Sequence, residues 1–120
     1  MIAATIAEIL TEATVALDGL EVEVTDQPHD AVSAVMAGAP ALLVLSGPAI
    51  EYVTPRRRTA TWTAWVIIPT ADPTEATGMF EPILDALAEG LLLDRAQPET
   101  YDIGDRTFPG YTLTFTTEHN

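Results

Sequence analysis

Apolar residues return at helical spacing at the start of the chain. Ile2, Ile6, Ile9, Leu10, Ala13 and Leu17 form a stripe that Glu8 and Glu12 stay off. The pattern predicts an amphipathic helix with one buried face. Asp18-Gly19 ends it, because glycine accepts the left-handed conformation that follows a helix. The period then changes: Glu21, Val22, Glu23, Val24 and Thr25 alternate, which predicts a strand with one wet face. Residues 27–40 are broken by Pro28, Gly38 and Pro40 and read as a loop with a helical turn around 31–37. Residues 41–45 are a continuous apolar run, the pattern of a central strand buried on both faces. Gly47-Pro48 stops that run, and Tyr52 and Val53 begin a further extended piece before Thr54-Pro55.

Residues 59–68 are β-branched and aromatic and end at Pro69, which predicts a strand. Trp62 and Trp65 stand three apart and so fall on opposite faces of it. One is expected in the core; the other is either core or an outward-facing interface anchor. Asp72, Pro73 and Glu75 resemble a helix start, with an N-cap, a proline at the first position and a carboxylate at the third. Gly78 and Pro82 interrupt that start, so the regular helix is expected from Met79. Its stripe is Phe80, Ile83, Leu84, Leu87 and Leu91, and Gly90 frays its end. Two strands, 100–106 and 111–117, are expected around Phe108-Pro109-Gly110. In the second, Tyr111, Leu113 and Phe115 alternate with Thr112, Thr114 and Thr116. That threonine face is either plain solvated sheet or an edge for strand pairing between subunits.

No internal repeat or second domain appears. The expected fold is a single α+β domain over residues 1–120: a small mixed β-sheet of about four to five strands packed by two main helices, in the order α-β-β-β-α-β(β).

At 120 residues, folding buries roughly two-thirds of the unfolded chain's surface, enough for an ordinary core. A hydrophobic content of 48% argues against disorder despite the charge. There is no cysteine, which excludes disulfide frameworks, thiol nucleophiles and thiolate metal sites. No run approaches the ~20 apolar residues that span a bilayer. The first helix carries Glu8 and Glu12 and follows no basic segment, so neither a signal peptide nor a membrane partner is expected.

Charge changes the picture more. Eighteen Asp and Glu face five basic residues, none of them lysine, for a net charge of −13. Three of the five are adjacent: Arg56, Arg57 and Arg58. A lone cationic island on a strand-to-strand loop is either a docking point for a partner's carboxylates or a solvated turn that offsets local acidity. It does not suit a DNA grip, which needs many distributed cations.

Reaction chemistry finds little support. Asp26, His29 and Asp30 match no metal-ligand spacing, and the bland reading is a polar surface loop. His119 is the penultimate residue. Ser33 and Ser46 sit in no nucleophile elbow and have no evident histidine base. Asp102 with Asp105 is a carboxylate pair, but chance pairs are expected among eighteen acids. No glycine-rich phosphate loop is present. The expectation is no enzyme, with no catalytic residue, cofactor or metal.

Taken in order, the segments resemble a known family. The first helix leads to Asp18-Gly19-Leu20-Glu21-Val22, and a proline-punctuated loop enters Gly38-Ala39-Pro40-Ala41-Leu42-Leu43-Val44. An arginine-containing turn precedes the long strand 56–68. An amphipathic helix follows at 83–91, then Phe108-Pro109-Gly110-Tyr111 and a closing strand with alternating threonines. This resembles the tail terminator (tail completion, minor tail protein U-like) proteins of long-tailed phages, particularly those infecting actinobacteria.

The resemblance implies an α+β subunit that does no bond chemistry. Subunits would close into a six-membered ring capping the finished tail tube and joining it to the head connector. The implied partners are further copies of the chain, the tail tube protein and the head-tail connector protein, with DNA passing through the lumen without specific binding. The implied locations are the virion neck and, during assembly, the host cytoplasm. Candidate subunit or tube contacts are Arg56, Arg57, Arg58, Tyr52, Trp65, Thr112, Thr114 and Thr116. Six copies at −13 each would bring about −78 together, so ring closure should be helped by salt or divalent cations. Alternatives are another neck or head-completion protein, or an acidic inhibitor that mimics DNA. A mimic should align its acids on one face, whereas here they fall on every predicted element.

Overall fold

The computed structural model describes residues 2–70, 73–91, 93–103 and 106–119. The chain forms a six-stranded mixed sheet and three helices. In order these are α1 (Ile2–Ala16), β1 (Glu23–Thr25), α2 (Pro28–Met36), β2 (Leu42–Leu45), β3 (Ala49–Thr54), β4 (Arg57–Ile67), α3 (Pro73–Leu91), β5 (Arg95–Ile103) and β6 (Arg106–His119). The fold is α+β with helices on a mixed sheet. It has one more helix and at least one more strand than the hydropathy pattern predicts.

The strand order is β1-β2-β4-β6-β5. Only β1 and β2 run parallel, joined through α2; the other pairings are antiparallel. β4 is the spine. One edge pairs with β6 from Arg58 to Ile67. The opposite edge is shared end to end, with β2 along residues 64–67 and β3 along 57–61.

α1 and α3 cover one face of the sheet. On β4 that face presents Ala60, Trp62, Ala64 and Val66, all at most 1% exposed, against Leu43, Leu45, Leu113 and Phe115 from β2 and β6. Trp62 lies parallel to Phe115 with centroids 6.1 Å apart, and its Nε1–H donates to Thr117 Oγ1 at 2.9 Å. The core therefore buries the large indole without stranding its one donor.

Three local predictions are corrected. Residues 28–36 are a full helix, not a loop with one turn. Pro28 lacks a backbone N–H, which costs nothing in the first helical turn. Gly38, at φ 85°, closes the other end: Ala39 N–H bonds Ala34 carbonyl and Gly38 N–H bonds Val35 carbonyl, both at 3.0 Å.

α3 begins at Pro73, not near Met79, and runs through Pro82. The carbonyl that a proline ring crowds belongs to the residue four before it, which here is Gly78. Ala76 extends the buried stripe upstream of Phe80, and the proposed cap, Asp72, lies outside the described residues. Gly90 does not mark a frayed end. A Cβ there would stand 2.6 Å from the Ala16 Cβ, so the glycine lets α1 and α3 approach.

β5 and β6 pair from Ile103 opposite Arg106 onward, so Phe108-Pro109-Gly110 lies inside β6 rather than between the two strands. Pro109 is tolerated because the β4 ladder ends at Ile67 opposite Gly110, where no N–H is needed.

Candidate functional site

The sheet's other face is only partly covered. α2 packs Ala31, Ala34 and Val35 over Leu42, Val44 and Ile67 at one end. Beyond it the face lies open. Strand alternation places Thr59, Thr61, Thr63 and Trp65 of β4 beside Thr116, Thr114 and Thr112 of β6. Thr112 and Thr114 are not on an edge ready for strand pairing. Thr112 and Thr114 sit on a strand paired on both sides, with β4 and with β5. Only residues 115–119, which include Thr116, run past the end of β5.

Two of these threonines bond to acids on the β5 side. Thr116 Oγ1 donates to Asp94 at 3.0 Å. Thr112 Oγ1 donates to Glu99 Oε2 at 2.6 Å, and the Tyr101 hydroxyl reaches the same oxygen at 3.3 Å. The Tyr101 hydroxyl and Thr112 Oγ1 also share a hydrogen bond. Burial pushes the Tyr101 phenol above its ordinary range. The Thr112 bond opposes that shift, and the Glu99 charge and bond add to it.

The Tyr101 ring lies over Gly110, where a Cβ would also stand 2.6 Å from the Val66 carbonyl oxygen. Glycine is required there by close approach. Sequence reasoning missed Tyr101 and Glu99. Their only signal was an aromatic and an acid two apart, with no way to know that Gly110 lay opposite.

Between α2 and the β5 strand the outer face sinks into a cleft of about 310 Å³. Val44, Trp65 and Ile67 line it together with Val32 of α2 and Tyr101 and Ile103 of β5. Trp65 is half-buried here, so the two tryptophans do divide between faces: Trp62 in the core, Trp65 in a cleft wall.

The arginine triplet stands at the far end of β4. Arg56 occupies the turn, while Arg57 and Arg58 already belong to the strand, so the island is not wholly loop. β3 and the start of β4 form an arm whose β3 strand is exposed throughout except at Ile50. The ladder slips between Tyr52 and Thr54, leaving Val53 as a bulge. Tyr52 is 64% and Val53 60% exposed, both beside the arginines. The outer edge of β3 pairs with no other strand among the described residues.

The remaining candidates do not assemble into a site. His29 and Asp30 form an exposed pair at 3.4 Å on α2. Asp30 also accepts from Thr25, and Asp102 accepts from Thr107 at 2.6 Å; Asp105 lies outside the described residues. Ser46 donates to the Gly47 carbonyl at 3.3 Å, and Ser33 is exposed on α2. The backbone at His119 pairs opposite Arg58. Among the described residues no three His, Asp or Glu side chains cluster as metal ligands. None of their helices is long and apolar enough to cross a membrane.

The architecture defines a small α+β domain with one sealed face and one partly open face, and with three of its five cations gathered on an arm. Compared with known families and with curated proteins, the chain matches no family model and no curated sequence.

Proposed function

We propose that this protein is a structural assembly subunit: the tail terminator of a long-tailed phage or prophage. It works by self-association into a ring of six and by docking to the tail tube on one side and the head connector on the other. It carries out no bond chemistry, and DNA passes through the ring without specific contacts. Its places are the host cytoplasm during assembly and the virion neck afterwards.

The observation that carries this reading is the polarity of the surface. A chain of net charge −13 concentrates three of its five cations on one exposed arm, while part of its outer sheet face stays uncovered by any helix of the described chain. Two unlike surfaces on one small domain suit a subunit with more than one neighbour. The order of elements supports the phage assignment through the resemblance described above. An acidic lumen would not hold DNA back.

Molar mass by light scattering, across protein concentration and with and without magnesium, tests this directly. The reading predicts a species near six subunits, favoured by magnesium because the cation screens about −78 of charge. A strict monomer in all conditions, together with tight, salt-sensitive capture by a basic DNA-binding protein, would instead identify an acidic inhibitor.

A further inference from the structure

We propose that the β3–β4 arm of one copy docks in the outer-face cleft of the next copy, so that subunits join head to tail. This names the contact within the ring reading and rests on it.

The two surfaces match in chemistry. The cleft is apolar and aromatic, with Trp65 and Tyr101 in its walls and Val32 exposed at its lip. The arm offers Tyr52 and Val53, two of the largest exposed apolar side chains among the described residues. A tyrosine-sized side chain fits a volume of about 310 Å³. Charge matches as well. Arg56, Arg57 and Arg58 flank the arm's apolar pair, while Asp102 lines the cleft and Glu99 stands beside its wall, within hydrogen-bond reach of the Tyr101 hydroxyl. Arg106, the nearby cation, is held over the Phe108 ring at 5.1 Å. Desolvated arginine–carboxylate contacts around an aromatic anchor are the usual centre of a strong interface.

Geometry excludes the intramolecular version. Arm and cleft occupy opposite ends of one strand. From Arg57 to Trp65 along β4 is roughly 26 Å at the rise of a β-strand, and a strand does not fold back on itself. Only a second copy can bring them together. Because the two patches differ, the contact is heterologous. It generates a closed ring where the rotation between copies closes, and an open filament where it does not. Each copy carries one arm and one cleft, so a closed ring leaves neither unfilled.

The chain's lack of cysteine provides the test. Val53→Cys on the arm and Val32→Cys at the cleft lip are both at exposed positions, so neither change should disturb folding. Mixed in equal amounts under mild oxidation, the two variants should give a covalent heterodimer. Adding Arg56→Glu and Arg58→Glu to the arm variant should reduce its yield at least tenfold. A chain carrying both cysteines should give a ladder of bands that ends at six copies.

Val53→Cys pairing with itself as readily as with Val32→Cys would overturn the proposal in favour of an arm-to-arm contact. No disulfide in the mixture, alongside a six-subunit mass by light scattering, would overturn this contact and leave the ring standing. No disulfide and no association would overturn both.

Discussion

One strand, β4, shows two kinds of surface. Its inward residues, Ala60, Trp62, Ala64 and Val66, are sealed beneath α1 and α3. Its outward residues, Thr59, Thr61, Thr63 and Trp65, are threonines followed by a half-buried indole. The two sets alternate along the same backbone, separated only by the pleat. The inner face holds the fold together. On the reading proposed above, the outer face and the arm beyond it are left to contacts with other molecules, and mutations on the two sides should therefore fail in different ways.

The largest expected effect lies inside. Trp62→Ala removes the biggest buried side chain, its stacking on Phe115 and its hydrogen bond to the Thr117 hydroxyl. It should destabilise the domain by about 3–5 kcal/mol in urea unfolding. A loss below about 1 kcal/mol would show that the inner face is not the main source of stability.

Next is Gly110→Ala. The new methyl meets both the Tyr101 ring and the Val66 carbonyl. Because the carbonyl is backbone and cannot swing away, a loss of about 1–3 kcal/mol is expected. Tyr101→Phe should cost less, about 0.5–1.5 kcal/mol, since Thr112 keeps its bond to Glu99.

The same tyrosine gives a pH signature. The folded protein holds the Tyr101 proton to higher pH than the unfolded chain, whose phenol ionises near 10. Its contribution is therefore complete below about pH 10 and is lost as pH rises through the raised value. Tyr101→Phe should flatten that alkaline part of the stability profile, and an unchanged slope would contradict the assigned environment.

Smallest for stability, and most telling for the comparison, is Arg56→Glu with Arg58→Glu. Unfolding free energy should move by no more than about 0.5 kcal/mol, while self-association should be lost. Loss of both properties together would mean that the arm belongs to the fold rather than to an interface.

Much of the inner face was legible in the sequence because burial imposes a period. The stripes of α1 and α3, the apolar run of β2 and the opposition of Trp62 to Trp65 all follow from side-chain alternation. Punctuation was less reliable, because proline and glycine act through their partners in space. Pro28 starts a helix that it seemed to break. Pro82 lies inside α3 without ending it. Pro109 and Gly110 lie within a strand rather than a turn: Pro109 falls just past the last β4 pair, Ile67 with Gly110, and the Tyr101 ring needs the space over Gly110.

The cleft left no trace in any local window. Its walls come from residues near 32, 44, 65 and 103, in four separate elements. The arm was half visible: its arginines and Tyr52 stood out, but the exposure of β3 along its length depends on where β2 stops.

Amide hydrogen exchange at low and high protein concentration tests the division between the two surfaces most directly. The account predicts that concentrating the protein slows exchange in residues 49–58 of the arm and 99–103 beside the cleft, and leaves α1 and α3 unchanged. New protection centred on the outer surfaces of α1 and α3, or no change anywhere up to the highest soluble concentration, would contradict it.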